Sequence, residues 1–357
     1  MTPSDERPTR SESTAAVLTR GDYAVLFTAA GGGGSSYRGM ALTRWTADRT
    51  RDADGFFVYL RDADTGDVWS AGYQPEGRPA DAYRADLAGG RAEIVRRDVE
   101  IETRLEVRLA AEGDAELRRI RLTNLGDRPR RIEVTTCAEL VLNTPGGDAA
   151  HPAFSKLFVQ TGWMADREAL TAWRRLRSPD DEPLQIVHRL LADDVGAPEY
   201  ETDRARFIGR GRTLASPAAM DAGARLSGTV GNVLDPVFSL RLSVTLQPGE
   251  SATLVALLGA GRTRQDVEAI ADRYADLAAA NAAFDATPPA DSGDAKSLGV
   301  PKSWLTHAVS RTTTPPPQFG GGVAGRREER AKGPAGERAP TATRQARLFR
   351  FVVEFSR

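Results

Sequence analysis

Residues 100–109 read EIETRLEVRL. Ile101, Thr103, Leu105, Val107 and Leu109 alternate with Glu100, Glu102, Arg104, Glu106 and Arg108. This period of two sends one set to a buried face and the other to water, the mark of a half-buried antiparallel strand. Residues 131–142 repeat it, with Ile132, Val134, Thr136, Ala138, Leu140 and Leu142 inward. So do residues 238–246, through Phe238, Leu240, Leu242, Val244 and Leu246. A slip of one residue would expose a whole set, so the pattern also fixes register. In residues 117–123 the apolar positions Leu117, Ile120 and Leu122 fall out of step, which predicts a bulge near Arg118-Arg119. Asn124-Leu125-Gly126-Asp127 and Gln247-Pro248-Gly249-Glu250 carry turn chemistry. In the second, proline and glycine stand where a type II turn wants them. Strand after strand joined by short turns predicts an all-β protein, a large antiparallel sandwich.

Composition narrows the function classes. The 357 residues suffice for one large or two modest domains, and 40% hydrophobic with 27% charged content describes a soluble globular chain. A formal net charge of −1 offers no field for nucleic acid or an anionic membrane. Cys137 is the single cysteine, so no internal disulfide can form, and with only His151, His188 and His307 a zinc site is not expected. No cofactor is expected either. The first residues, MTPSDERPTRSEST, lack the apolar run of a secretion signal. Apolar runs such as 254–258 fall far short of the roughly 18 residues a membrane helix needs. A cytoplasmic location is the resulting expectation.

Four segments are expected: a disordered tail over 1–20, the sandwich over 21–262, a linker helix over 263–285, and a disordered Pro/Arg-rich tail over 286–357. For the helix, Thr263 is the N-cap and Asp266 the capping-box acid, with Val267, Ile270, Ala271, Tyr274, Leu277 and Ala278 along one face. The last segment, with TTTPPPQFGGG and GRREERAKGPAGERAP, is too poor in apolar residues to offset its ordering entropy.

Chemistry concentrates in residues 29–74. Gly31–Gly34 precede Tyr37, Arg44, Trp45, Asp48, Arg51 and Asp52, a flexible hinge beside aromatic rings and bidentate-capable side chains. That combination suits a sugar-facing loop, by stacking plus directional hydrogen bonds, and equally an ordinary polar loop. Trp69 and Tyr59 are expected to pack in the sandwich. The glycines match neither a P-loop nor the dinucleotide fingerprint. Asp62-Ala63-Asp64-Thr65-Gly66-Asp67 resembles the front of a calcium loop, yet Tyr73 stands where a bidentate Glu is needed, so a hairpin turn is the better reading. No Gly-x-Ser-x-Gly elbow is present, and no carboxylate pair is singled out. His151 follows a Pro-Gly-Gly loop and reads as structural or exposed. Cys137 lies opposite the apolar set of its strand and reads as packing.

The segments GGGGSSYRGMALTRWTADRTRDADGFFVYLRD (31–62), DTGDVWSAGYQP (64–75), DAAHPAFSKLFV (148–159), YETDRARFIGRGRT (200–213) and LSGTVGNVLDPVFSLRLSVTLQPGE (226–250) together resemble one family. It is glycoside hydrolase family 94, formerly glycosyltransferase family 36, and the likeness is to its N-terminal β-sandwich domain in the cyclic β-1,2-glucan synthase subgroup. The resemblance covers about residues 23–284. It implies a galactose mutarotase-like β-supersandwich followed by linker helices and an (α/α)6 barrel. It further implies phosphorolysis of a β-glucoside with inversion, inorganic phosphate being the co-substrate in a complete enzyme and a barrel Asp the general acid. It places the N-terminal loop near the sugar site, within reach of a neighbouring subunit's barrel, so Tyr37, Arg44, Trp45, Asp48, Arg51 and Asp52 become candidate carbohydrate contacts. After Phe284 the sequence departs from that pattern, and the expectation is a chain truncated or frame-shifted before the barrel, inactive alone. An active glycosyltransferase or phosphorylase on β-1,2-glucans and a structural dimerisation domain are the alternatives. A β-glucan or glucose oligosaccharide is the expected partner, with a homodimer open and no nucleic acid or membrane.

Overall fold

The computed structural model describes residues 15–46, 54–88, 90–178 and 181–287. In chain order the strands are β1 (Ala15–Arg20), β2 (Tyr23–Thr28), β3 (Gly33–Tyr37), β4 (Met40–Thr43), β5 (Phe56–Asp62) and β6 (Val68–Ser70). Next come β7 (Ala82–Asp86), β8 (Glu93–Asp98), β9 (Ile101–Leu109), β10 (Ala115–Asn124) and β11 (Arg130–Asn143). Two short helices follow, α1 (Pro145–Ala150) and α2 (Pro152–Lys156), then β12 (Val159–Met164), β13 (Ala169–Arg174), β14 (Gln185–Leu191) and β15 (Glu199–Asp203). Helix α3 (Arg204–Ile208), the strands β16 (Pro236–Leu246) and β17 (Ser251–Gly261), and helices α4 (Arg264–Arg273) and α5 (Leu277–Ala286) complete the described chain.

Among the described residues, nine strands form one sheet in the order β1-β2-β3-β4-β11-β16-β15, with β5 and β6 paired off β11. Eight form the other, in the order β12-β13-β14-β17-β10-β9-β8-β7. The three alternating runs of the sequence meet between them. Ile101, Leu105, Val107 and Leu109 of β9 pack in one cluster with Ile132, Val134, Ala138, Leu140 and Leu142 of β11 and Phe238–Leu246 of β16. Each such buried Leu or Val contributes roughly 1.5–3 kcal/mol. On the outer side of the eight-stranded sheet, Leu117, Val255 and Leu257 lie under α4 and α5. Outside the nine-stranded sheet, Phe207 and Ile208 of α3 cover Phe57, Tyr59 and Cys137. The thiol is thus packing, as expected, buried beneath α3 and the residues that follow it.

The structure corrects four expectations. Residues 15–20 are not tail but β1, paired along its whole length with β2. Residues 116–124 of β10 pair with 101–109 of β9 in unbroken register, so there is no bulge at Arg118-Arg119. The break in apolar step has another cause: Glu116 and Arg118 occupy inward positions as a buried ion pair, Arg118 Nη2 2.8 Å from Glu116 Oε2. The linker is two helices. Tyr274 ends α4, and Asp276 caps α5 by accepting from the Ala279 amide at 2.7 Å. This break rotates the apolar stripe, leaving Ala278 exposed and Ala280 buried. Finally, Gly33 and Gly34 belong to a buried strand, not a hinge. Gly33 has φ +137°, and a Cβ there would lie 1.9 Å from the Leu26 carbonyl oxygen. At Gly31 a Cβ would sit 2.9 Å from Gly72 Cα, so these glycines serve close backbone approach. The turn at 247–250 forms, with Glu250 N–H donating to Gln247 O at 3.0 Å and φ +75° at Gly249, while at 124–127 the bend is held by the Asn124 side chain, which accepts from Gly126 N–H at 3.0 Å. The Asp62–Asp67 segment is the β5–β6 hairpin turn, its Asp62 carboxylate accepting from the Asp64 and Thr65 amides at 2.8 and 3.1 Å.

Candidate functional site

Of the predicted carbohydrate contacts, three lie among the described residues, and Tyr37 stands apart from Arg44 and Trp45. Tyr37 ends β3 and is buried beside the tight turn into β4. Burial, helped by Asp114, raises its phenol above the ordinary value. Arg44 follows the far end of β4, so at about 3.3 Å per strand residue it lies roughly 13 Å from the Tyr37 turn. Trp45 is half-buried against Ala15, Ala24 and Leu26. Asp48, Arg51 and Asp52 lie outside the described residues. Just after them in the chain, Asp54 accepts from the Thr46 amide at 2.9 Å, and its carbonyl accepts from Gly33 N–H at 2.9 Å. Trp69 is fully buried in the intersheet core, as expected, and His151 is exposed between α1 and α2.

Arg44 anchors a network that sequence reasoning did not find. Its guanidinium reaches Asp148 of α1 at 2.6 Å and Glu139 of β11 at 3.2 Å. Burial would favour the neutral form, but the two carboxylates outweigh it and hold Arg44 charged, above its ordinary value. Glu139 also binds Arg204 at the start of α3. Arg204 extends to Asp235 at 3.5 Å, and Lys156 of α2 closes on Asp235 at 2.5 Å. Asp148, Lys156, Arg204 and Asp235 come from three separate family-like segments. That shared origin was the available signal, whereas their spacing of 31 to 79 residues between partners across the segments hid the pairing. Each carboxylate already holds a cation, so the cluster is equipped to fix loops in place rather than to pass protons.

Around this cluster the surface is apolar and aromatic. Phe154 and Phe158 meet edge-to-face at 5.1 Å, with Arg177 over Phe154. Phe154, Leu157, Leu176 and Leu234 are exposed, the last at 78%. A second unusual group is Glu76, just beyond the 29–74 stretch. Burial pushes its carboxyl up to about 7, against the pull of Arg96 and Arg78. Arg96 is already spent in a two-pronged bond to Asp98, at 2.6 and 2.7 Å. Among the described residues no three His, Cys, Asp or Glu side chains gather as a metal site requires, and no helix is long and apolar enough to cross a membrane.

Two antiparallel sheets packed face to face and flanked by helices make a supersandwich. The description "Glycosyl hydrolase 94, supersandwich domain" matches residues 2–277, and the chain belongs to that family. It is 39% identical over 272 residues to the cyclic beta-(1,2)-glucan synthase NdvB of Rhizobium meliloti (strain 1021), covering 75% of this chain and 10% of that protein. To the N,N'-diacetylchitobiose phosphorylase of Vibrio proteolyticus it is 28% identical over 245 residues, 68% of this chain and 30% of the other. A galactose mutarotase-like protein from Clostridium acetobutylicum superposes with a TM-score of 0.37 at 9% identity, over 71% of this chain and 96% of that one. The chain therefore spans between about a tenth and three-tenths of the two curated relatives named here.

Proposed function

We propose that this chain is a carbohydrate-binding, non-catalytic sandwich serving a β-glucan phosphorylase or cyclic β-1,2-glucan synthase. The observation that carries it is the family match to the supersandwich part over residues 2–277, with relatives named for β-1,2-glucan synthesis and for phosphorolysis. Such chemistry needs a positioned general acid. Around the loop network the carboxylates of Glu139, Asp148 and Asp235 are each held by Arg or Lys. The half-exposed ring of Trp45, with Asp48, Arg51 and Asp52 of the segment that follows it in sequence, is proposed as one saccharide contact. Purified protein incubated with β-1,2-gluco-oligosaccharide and inorganic phosphate is expected to release no glucose 1-phosphate. Turnover would overturn the reading.

A second reading, a structural or dimerisation domain, draws on the exposed Phe154, Leu157, Leu176 and Leu234 beside the ion network. Sedimentation equilibrium decides whether copies associate. A concentration-dependent dimer lost in Leu234→Asp would favour it.

A further inference from the structure

Helices α4 and α5 cover part of the outer face of the eight-stranded sheet. Leu117, Val255 and Leu257 lie beneath them, but further along the same strands the outward residues turn polar. Phe284 of α5 seats between Arg108 and Arg119, whose guanidinium carbons lie 4.5 and 4.0 Å from the ring centre. Arg108 also donates to the carbonyls of Phe284 and Thr287, at 2.8 and 2.9 Å. Docked this way, α5 becomes the wall of a groove whose floor is β9, β10 and the start of β17. The groove's volume is about 590 Å³, within the range of small-molecule sites.

Most charges in the groove are committed. Arg119 holds Glu106 at 3.0 Å and Asp285 at 2.7 Å, and Arg104 holds Glu93 at 2.9 Å. Two are not: among the described residues Arg121 and Glu102 have no ion-pair partner. The register sets Arg121 opposite Arg104 and Thr123 opposite Glu102, so Arg121 and Glu102 are diagonal neighbours, with backbones about 7–8 Å apart. In the wall, the Asn281 side-chain carbonyl is buried without a hydrogen bond. An unspent guanidinium, an unspent carboxylate and an orphaned amide oxygen thus face one space. Their formal charges cancel, so neither an anion nor a cation is favoured. What satisfies all three is a ligand whose groups both donate and accept, namely vicinal hydroxyls.

We infer that this groove is a binding site for a short neutral oligosaccharide, Arg121 donating to adjacent hydroxyls and Glu102 and Asn281 accepting from them. The inference rests on the carbohydrate-binding reading and gives it a site apart from the Trp45 loop. The full chain is titrated with β-1,2-gluco-oligosaccharides by calorimetry and saturation-transfer NMR, beside Arg121→Ala, Glu102→Gln, Trp45→Ala and the surface control Arg84→Ala. Expected is a loss of affinity of about tenfold or more in Arg121→Ala and Glu102→Gln, with unfolding temperatures and the Arg84→Ala affinity unchanged. Wild-type affinity in both groove variants, or a loss confined to Trp45→Ala, would overturn the groove while leaving the carbohydrate reading intact. No binding by the wild-type chain would instead remove the reading on which the groove depends. Displacement of the sugar by inorganic phosphate, dependent on Arg121, would refute the neutral-ligand chemistry.

Discussion

His188 and Glu76 both ionise far from their ordinary values, and they pull stability in opposite directions. The His188 imidazole is sealed between the sheets, 2.8 Å from Thr136 Oγ1 and 2.7 Å from the Leu257 carbonyl. Burial lowers its pKa from 6.5 to about 4. Between those values the unfolded chain holds the extra proton, so stability is intact above about 6.5 and falls as pH drops toward 4. Urea titrations at pH 7 and 4.5 should show a loss of about 2–3 kcal/mol from this group, largely absent in His188→Gln. Glu76 works the other way. Its folded carboxyl stays protonated up to about 7, against an ordinary value of 4.5, so across that window the folded state holds the extra proton and stability falls as pH rises. Glu76→Gln should remove this slope and gain on the order of 2 kcal/mol at pH 8; an unchanged slope would show the carboxyl to be solvated. Neither residue stood out in the sequence, because a lone histidine or glutamate carries no local pattern and its displacement comes from elements far along the chain.

At the scale of elements, alternation was a sound guide wherever one face met the core and the other met water, as in β9, β11 and β16. It misled where polar residues enter the core. The step lost at Leu117–Ile120 signals an inward Glu116–Arg118 pair, and sequence spacing alone does not separate that from an inserted residue. The glycine run was legible as special but not as what it is, because close approach of Gly31 to Gly72 depends on a partner 41 positions away. Gly33→Ala tests this packing role. The strained φ and the clash with the Leu26 oxygen together predict a loss of at least about 2 kcal/mol in chemical denaturation, where a hinge glycine would cost little. In the helical layer, Asp276→Ala removes the cap that starts α5 and should cost about 1 kcal/mol. The Asp266 capping box of α4 was readable because both its partners are local, whereas the second cap was hidden inside a continuous alanine-rich stripe.

For the molecule as a whole, the question is what ties the two sheets into one cooperative unit beyond apolar contact. Among the described residues, polar stitches cross the core at several points, among them Tyr23 of β2 donating to the Leu258 carbonyl at 3.0 Å, His188 meeting Thr136, and the Glu116–Arg118 pair. The last is the most connected. Glu116 accepts from Ser35 and, at 3.4 Å, from Tyr23, while Arg118 donates to the Phe56 carbonyl at 2.8 Å and lies 4.5 Å over the Phe56 ring. Removing one member strands the other in the interior, so Arg118→Met should cost about 3–5 kcal/mol. Replacing both, Glu116→Leu with Arg118→Met, should cost less than the sum of the single losses by about 1–3 kcal/mol. Far-ultraviolet dichroism reports both sheets and tryptophan fluorescence the surroundings of the five rings, Trp69 of the core among them, and in wild type the two transitions should coincide. If the pair fixes the alignment of the sheets, the double variant keeps much of its stability but the two transitions separate, the fluorescence change coming first. Coincident transitions in the double variant would mean that the apolar interdigitation of β9, β11 and β16 sets the alignment unaided, and that the buried charges are a replaceable filling of the core.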